Sequence, residues 1–124
     1  MSDSANIFVK SCTDLENFVR ELEILTGVKL LHYTDQYSEW YGFLDQSVRI
    51  TLHKHELDND TDMNFEDYPY QIEVWGIDDM NPVERARRRE SYALSLFDKL
   101  KSLQKYDLVM WDNLETKLEE YHIG

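Results

Sequence analysis

Apolar residues recur at helical spacing in two segments of the chain. The first begins with Thr13-Asp14-Leu15-Glu16, which fits a capping box in which the threonine hydroxyl and the glutamate carboxylate bond to the first free helical amides. Gly27 supplies a stop signal for this helix. Its apolar stripe consists of Leu15, Phe18, Val19, Leu22 and Leu25. The second segment opens at Asn81-Pro82, a side-chain cap followed by a proline in the first turn, and predicts a longer helix.

Alternating apolar and polar residues predict a largely antiparallel sheet. The predicted strands span residues 28–33, 37–44, 47–53, 70–76 and 106–111. The second and third strands form a hairpin through Asp45-Gln46, in a register that pairs Trp40 with Thr51. One face of this sheet is apolar and includes Tyr41, Val48 and Ile72. The other face carries Trp40, Arg49, Thr51, His53, Gln71, Glu73 and Trp75.

The end of the chain completes the predicted fold. Residues 113–121, NLETKLEEY, predict a short C-terminal helix. There is no internal repeat and no linker rich in proline or glycine, so residues 1–124 are expected to form a single domain. We therefore expect an α+β fold with a largely antiparallel, four- to five-stranded sheet and two main helices packed on the Tyr41/Val48/Ile72 face.

Charge narrows the classes of function. The 124 residues include 25 acidic and 13 basic side chains, and the formal net charge is −12. A surface this negative repels nucleic acid and anionic lipid, and it attracts cationic proteins. Solubility alone would also explain the excess of acid. We expect a protein partner, no nucleic acid and no membrane.

Three further features favour a cytoplasmic location. No apolar run is long enough for a membrane span. The sequence MSDSANIFVK has no basic region followed by an apolar stretch, so no signal peptide is expected. Cys12 is the single cysteine of the chain, which is compatible with a reducing compartment.

The acidic segment at residues 56–67, ELDNDTDMNFED, raises the question of a metal site. Asp58, Asp60 and Asp62 match the first ligands of a calcium loop, but Met63 and Pro69 occupy the positions that need glycine and glutamate. His53 and His55 with neighbouring acids could instead hold zinc or manganese, although this spacing is common by chance. No metal or cofactor is expected, and a metal-binding regulatory module remains the alternative.

Catalytic motifs are missing from the sequence. It contains no GxSxG, P-loop, GxGxxG or HExxH pattern, so we expect no enzyme and assign no catalytic residue. The basic cluster RARRR at residues 85–89 lies early in the second helix, where the helix dipole disfavours positive charge. We expect these arginines to form ion pairs with the 56–67 segment, and anion binding is a less favoured alternative.

The polar sheet face is the candidate interaction surface. Tryptophan and arginine beside acidic residues are the residue types that dominate protein interfaces. The predicted partner-binding residues are Trp40, Arg49, Asp58, Asp60, Asp62, Glu66, Asp67, Glu73 and Trp75. The alternative is that a helix or the 56–67 segment covers this face, which would make both tryptophans ordinary core residues.

Taken as a class, this small acidic chain resembles the immunity proteins of bacterial polymorphic toxin systems. The resemblance rests on size, charge, the segment ELDNDTDMNFED and the aromatic strands EWYGF (39–43) and QIEVWGI (71–77). It implies a cytoplasmic protein that binds and neutralises a cognate toxin domain, often a cationic nuclease. On this hypothesis the acidic residues would steer association, and the aromatic residues would slow dissociation. A non-catalytic adaptor subunit is a further alternative.

Overall fold

A computed structural model describes residues 4–45, 48–55, 57, 59, 64–76, 81–112 and 116–123. Its strands are β1 (Ser4–Lys10), β2 (Leu31–Thr34), β3 (Glu39–Asp45), β4 (Val48–Lys54), β5 (Tyr70–Gly76), β6 (Asp107–Asp112) and β7 (Thr116–Tyr121). Its helices are α1 (Leu15–Thr26) and α2 (Pro82–Ser102), with a turn of 3-10 helix at Phe65–Asp67. No helix in the described ranges is long and apolar enough to cross a membrane.

The strands form one antiparallel sheet of seven, in the order β2-β3-β4-β5-β1-β6-β7. The α+β class is confirmed, but the prediction of four to five strands is wrong. The unpredicted β1 lies near the middle, between β5 and β6. Six of its seven residues are buried, because both of its faces are covered. The alternation of polar and apolar residues in β1 stops after Ile7, because Phe8 and Val9 are both apolar and both buried, so the periodic signal is short.

The predicted C-terminal helix is also wrong, because residues 116–121 form strand β7. Leu118 and Tyr121 are three residues apart, a spacing typical of one face of a helix. Both pack against the main core nevertheless. The pairing of β7 with β6 skips Leu118, since Glu119 pairs with Met110 and Lys117 with Trp111. This bulge inserts one residue and turns both side chains to the same face.

The helix ends follow the sequence closely. The N-cap of α1 is Asp14 and not Thr13, since the Asp14 carboxylate accepts a hydrogen bond from the Asn17 N–H at 2.9 Å. Gly27 ends α1 in the left-handed conformation with φ 71°, as predicted. Asn81 caps α2 and accepts from the Glu84 N–H at 2.9 Å.

The β3–β4 hairpin is shifted by two residues from the predicted register. Gly42 pairs with Thr51, and Asp45 pairs with Val48. Trp40 therefore does not pair with Thr51, and the prediction on this point is wrong. Because side chains alternate with a period of two, a shift of two residues keeps every side chain on its predicted face.

Both helices cover one face of the sheet, which we call the helix face. Phe18 and Leu22 of α1, and Ala93 and Phe97 of α2, belong to the same buried cluster as Val48 and Ile72. The apolar residues of this cluster are at most 2% exposed, with the exceptions of Val19, Leu30, Phe43 and Tyr70. The prediction that the helices pack on the Val48/Ile72 face is confirmed.

The opposite face, which we call the distal face, is covered over only part of its width. Phe65 and Tyr68 lie on β1 and β6, where they pack with other apolar residues to form the distal cluster. Its members are Phe8, Phe65, Tyr68, Val109 and Trp111, with Leu57 at its margin. This cover stops short of β3, β4 and the outer half of β5, where the candidate site lies.

Candidate functional site

An open groove of about 740 Å³, which we call the tryptophan groove, is lined mainly by the distal face of β3, β4 and β5 and also by Leu15 of α1 and by Glu39 and Lys54 at the strand ends. Its lining includes four of the predicted partner-binding residues, Trp40, Arg49, Glu73 and Trp75. The remaining lining residues are Leu15, Tyr37, Ser38, Glu39, Thr51, His53 and Lys54. The sequence therefore identified the centre of this groove, although not its margins.

Strand register brings the central side chains together. Arg49 pairs with Trp75, and Thr51 pairs with Glu73, so these residues are cross-strand neighbours on one face. The Arg49 guanidinium carbon lies 5.4 Å from the centre of the Trp75 ring, a cation–π contact. The Trp75 Nε1–H is shielded from solvent and has no hydrogen-bond partner among the described residues. Trp75 is thus a lining residue of the groove that is held by Arg49, with its indole N–H turned away from solvent.

Trp40 is held in place by two neighbours. Its ring stacks on Tyr33 of β2 with centroids 4.1 Å apart and planes inclined by 16°. It also lies over Gly42, where an added Cβ would come within 3.0 Å of both Trp40 Cζ3 and the Ile50 carbonyl oxygen. Glycine in a strand often marks such a close approach. A tryptophan positioned before binding loses less conformational entropy when a partner contacts it.

A hydrogen-bond network links His53 to Glu73 at the groove wall. His53 Nε2 lies 2.8 Å from Glu73 Oε1, and His53 Nδ1 lies 3.1 Å from the Lys54 carbonyl oxygen. Both acceptors are satisfied only when both ring nitrogens carry protons. The bond to Glu73 raises the pKa of His53, while burial acts against it. Thr51 Oγ1 also donates to Glu73 Oε1, at 3.4 Å. When His53 is protonated, its ring offsets part of the charge of Glu73.

His55 lies two residues further on and has different partners. Its Nδ1 accepts from the Leu57 N–H at 3.0 Å, and its Nε2 donates to the Tyr68 carbonyl oxygen. The ring packs edge-on against Phe8, with centroids 5.3 Å apart. Burial lowers the pKa of His55 and so favours the neutral ring. Its role in this geometry is to fix the segment that leads into the distal cluster.

The histidines do not form a metal site with the acids described beside them. His53 is bonded to Glu73, whereas both nitrogens of His55 are occupied by backbone groups. Within the ranges that the structure describes, no three His, Cys, Asp or Glu side chains cluster closely enough to hold a metal ion. Among the described residues, the geometry therefore gives the metal-binding alternative no support.

Two of the predicted acidic residues, Glu66 and Asp67, are not among the described lining residues of the groove. Glu66 and Asp67 are exposed on the 3-10 turn beside the distal cluster, and Asn59 accepts from the Glu66 N–H at 2.9 Å. Asp58, Asp60 and Asp62 lie outside the described residues. Their proposed contribution to partner binding stays a prediction.

Two further polar or aromatic residues of the distal face are buried. Gln71 was expected on the polar face, but it is 6% exposed and donates to Asn6 Oδ1 at 2.8 Å under the cover of the distal cluster. Trp111 is 7% exposed and belongs to that cluster. One part of the distal face is therefore covered by the distal cluster, and the other part carries the tryptophan groove. The sequence left open whether this face is exposed or covered, and the structure shows some of each.

Two of the arginines at 85–89 have acidic partners outside the 56–67 segment. Arg87 contacts Glu84 one turn earlier, and Arg89 Nη2 lies 3.3 Å from Asp112 Oδ1. Both pairs involve α2, which packs on the helix face, whereas Glu66 and Asp67 follow Phe65 on the distal side. Among the described residues, neither of these arginines pairs with an acid of the 56–67 segment, and pairing with its other acids stays a prediction.

Sequence reasoning missed an apolar margin around the groove. Large exposed side chains surround Trp40, and they are Leu31 (55% exposed), Tyr33 (41%), Tyr37 (88%) and Leu44 (66%). Leu31 pairs with Gly42, Tyr33 with Trp40, and Leu44 with Arg49, which places all three on the distal face. We call these four residues the apolar margin. The register of β2 against β3 was the missing information, since it determines which face Leu31 and Tyr33 occupy.

The chemistry of the groove suits recognition. The groove lining has mixed charge, since it includes the basic residues Arg49, Lys54 and His53 and the acidic residues Glu39 and Glu73. Its lining includes the indole rings of Trp40 and Trp75 and the phenol ring of Tyr37, which combine apolar surface with a polar edge. Comparison with protein-family models, with curated proteins and with solved structures gives no match for this chain.

Proposed function

We propose that this chain is an immunity protein that binds and neutralises a cationic bacterial toxin domain through the tryptophan groove. One observation carries the proposal, namely that Trp40 and Trp75 line an open groove on a sheet face that the helices leave uncovered. The apolar margin extends this surface at its β2–β3 side. An exposed apolar area of this kind, set in a polar surface, is typical of protein interaction sites.

The groove has the properties of an energetic anchor. Tryptophan, tyrosine and arginine are the residues most enriched among interface hot spots. Trp40 is positioned by Tyr33, and Arg49 is stacked on Trp75, so little side-chain order remains to be gained on binding. The mixed charges of the groove favour a partner that buries apolar side chains there and pairs its polar groups at the rim.

Charge supports the choice of a cationic partner. The net charge of −12 gives a long-range attraction to a basic protein, which raises the rate of encounter. A toxin that acts on nucleic acid needs a basic surface for its substrate. Binding of an acidic protein at that surface would block the substrate, which is the inhibition that we propose.

The first test is recovery of a partner followed by growth protection. A tagged chain is used to capture proteins from its source cells, and a basic partner is then expressed with and without the chain. Growth only in the presence of the chain supports the proposal. Stoichiometric binding without protection would instead identify an adaptor, and the inhibitory function would be wrong.

Substitutions in the groove test the anchor in the same assay. Trp40→Ala and Trp75→Ala should each weaken binding about 30-fold, because removal of a hot-spot residue costs about 2 kcal/mol or more. Ile24→Ala is a matched control, since Ile24 is an apolar residue of α1 that is 82% exposed and lies outside the groove. Equal affinities for all three variants would contradict the assignment of the groove.

A further inference from the structure

The two edges of the sheet differ in how they are protected. Strand β7 forms one edge and carries Lys117, Glu119 and Glu120 among its six residues. Charged side chains on an edge strand discourage pairing with another chain. Strand β2 forms the other edge and has the sequence LHYT, with no lysine, arginine, aspartate or glutamate. Only the β7 edge is therefore protected by charge.

Both faces of strand β2 are exposed to solvent. All four of its residues are exposed. In an antiparallel pair, alternate residues direct their N–H and C=O groups away from the neighbouring strand. About half of the β2 residues therefore offer backbone groups to an incoming strand. These groups make β2 a template for an added strand.

The two faces beside β2 have different chemistry. Leu31 and Tyr33 lie on the distal face, where the Tyr33 ring stacks on the ring of Trp40. His32 lies on the helix face, where it stacks on Tyr41 at 4.5 Å and lies 3.4 Å from Glu39 Oε1. An incoming strand would therefore meet apolar rings on one side and acidic groups on the other.

Acidic groups collect on the helix-face side of this edge. Burial raises the pKa of Tyr41, and the nearby carboxylates of Glu39 and Glu16 raise it further. These carboxylates are placed to accept basic side chains from a strand added beside β2. The side chains of such a strand alternate between the two faces. The edge thus selects a segment in which apolar residues alternate with basic residues.

We propose that β2 binds an extended segment of the cationic partner as an added eighth strand of the sheet, with alternating apolar and basic residues. This inference rests on the proposed function and identifies part of the partner's chemistry. The backbone of the segment bonds to β2, its apolar side chains contact Leu31 and Tyr33, and its basic side chains reach Glu39. The added strand extends the surface that begins in the tryptophan groove.

Charge favours a basic segment over a second copy of the chain. Each copy has a net charge of −12, so pairing of two β2 edges would bring two strongly negative molecules together. A basic segment is attracted by the same charge. A second copy is nevertheless a distinct outcome of the test, because it would appear as a dimer without any added peptide.

The test uses the full chain and a synthetic peptide. The probe is a blocked peptide of about eight residues in which valine alternates with lysine, a length typical of strands. Amide hydrogen exchange is followed by NMR with the peptide at about ten times its Kd, where the outward amides of β2 should exchange about tenfold more slowly. Amides of β7 should not change.

Matched controls separate strand addition from charge attraction. A peptide of the same sequence, N-methylated at two adjacent central residues, keeps its charge but can pair through neither edge at its centre. A peptide in which glutamate replaces lysine keeps the strand pattern but reverses the charge. Neither should protect β2. On the protein, Tyr33→Lys should abolish protection, whereas Ile24→Lys makes the same kind of change at an exposed apolar residue of α1 and should not.

Each result has a defined meaning. Protection confined to β2 by the valine–lysine peptide, lost on N-methylation, supports the inference. It is overturned if the N-methylated peptide protects equally, if no peptide protects β2, or if the chain is already a dimer paired through β2. Such a failure would leave growth protection and the effects of Trp40→Ala and Trp75→Ala unchanged, so it would be distinguishable from failure of the proposed function.

Discussion

At the scale of single residues, His53 and His55 show how a short separation in sequence leads to opposite environments. His53 extends along the groove wall, where a carboxylate and a carbonyl oxygen stabilise the charged ring. His55 turns under the distal cluster, where burial stabilises the neutral ring. The pair HxH suggested shared chemistry, but the two side chains act in different parts of the molecule.

The opposite pKa shifts predict opposite dependence of stability on pH. The pKa of His53 is raised above 6.5 in the folded state, so its stabilising contribution is complete below pH 6.5 and is lost as the pH rises through the folded pKa. The pKa of His55 is lowered, so its contribution is present above pH 6.5 and is lost as the pH falls through the folded pKa.

Chemical denaturation of two variants measures this difference. His53→Gln should lower the free energy of unfolding by about 1 to 2 kcal/mol below pH 6, and by less above pH 8. His55→Gln should show the reverse dependence. An NMR titration of the ring protons gives the two pKa values directly, and the same midpoint for both residues would contradict the described environments.

At the scale of secondary structure, the start of helix α1 shows a difference between the capping pattern in the sequence and the capping hydrogen bond in the structure. The capping-box pattern selects Thr13, whereas the structure places the cap one residue later. The Asp14 carboxylate bonds to the Asn17 N–H, and the Tyr70 hydroxyl donates to the Thr13 carbonyl oxygen at 2.5 Å. The tertiary contact with Tyr70 involves the backbone of Thr13 and does not require its side chain.

Two alanine substitutions distinguish these arrangements. Asp14→Ala should lower the free energy of unfolding by about 1 kcal/mol, because one amide at the start of α1 loses its acceptor. Thr13→Ala should change it by less than about 0.5 kcal/mol, as is usual for a surface substitution away from a cap. Urea denaturation measures both values, and a larger effect at Thr13 would restore the capping box.

Strands are harder to predict than helices in this chain, for two physical reasons. In β1 the alternation that identifies a strand stops at Phe8 and Val9, because one packs in the distal cluster and the other in the main core under the helices. The bulge at Leu118 gives β7 a helical spacing of apolar residues. In both cases the pattern reflects contacts with distant segments, whereas helix caps depend on neighbouring residues.

At the scale of the whole molecule, net charge and local site chemistry have separate roles. The net charge is −12, but the tryptophan groove contains both basic and acidic side chains. Long-range attraction depends on the total charge distribution, while residence time depends on groups that are buried on binding. The acidic segment and the groove are therefore expected to affect different rate constants.

Charge reversal at Asp58, Asp60 and Asp62 tests this separation with the captured partner. Lysine at the three positions should slow association about tenfold at low salt and weaken its dependence on ionic strength, with little change in dissociation. Stopped-flow measurements at several salt concentrations give these rates. The control reverses Glu90, Asp98 and Glu119, acids of α2 and β7, and produces the same net charge.

Comparison of the two triple variants locates the effect. If the acidic segment steers the partner, its reversal slows association more than the control does. Equal slowing would show that total charge alone matters. Unchanged association in the first variant would contradict steering by the acidic segment, and the groove would remain testable through its tryptophan variants.

Local and alternating patterns along the chain were sufficient to predict the two main helices and the α+β class. They also predicted the sheet face shared by Trp40, Arg49, Glu73 and Trp75. They were sufficient because capping, helical spacing and the two-residue period of a strand depend on nearby residues. Strand number, register, the cover of Trp111 and the partners of His53 and His55 required the folded chain. Those features arise from contacts between residues far apart in sequence, which no local pattern encodes.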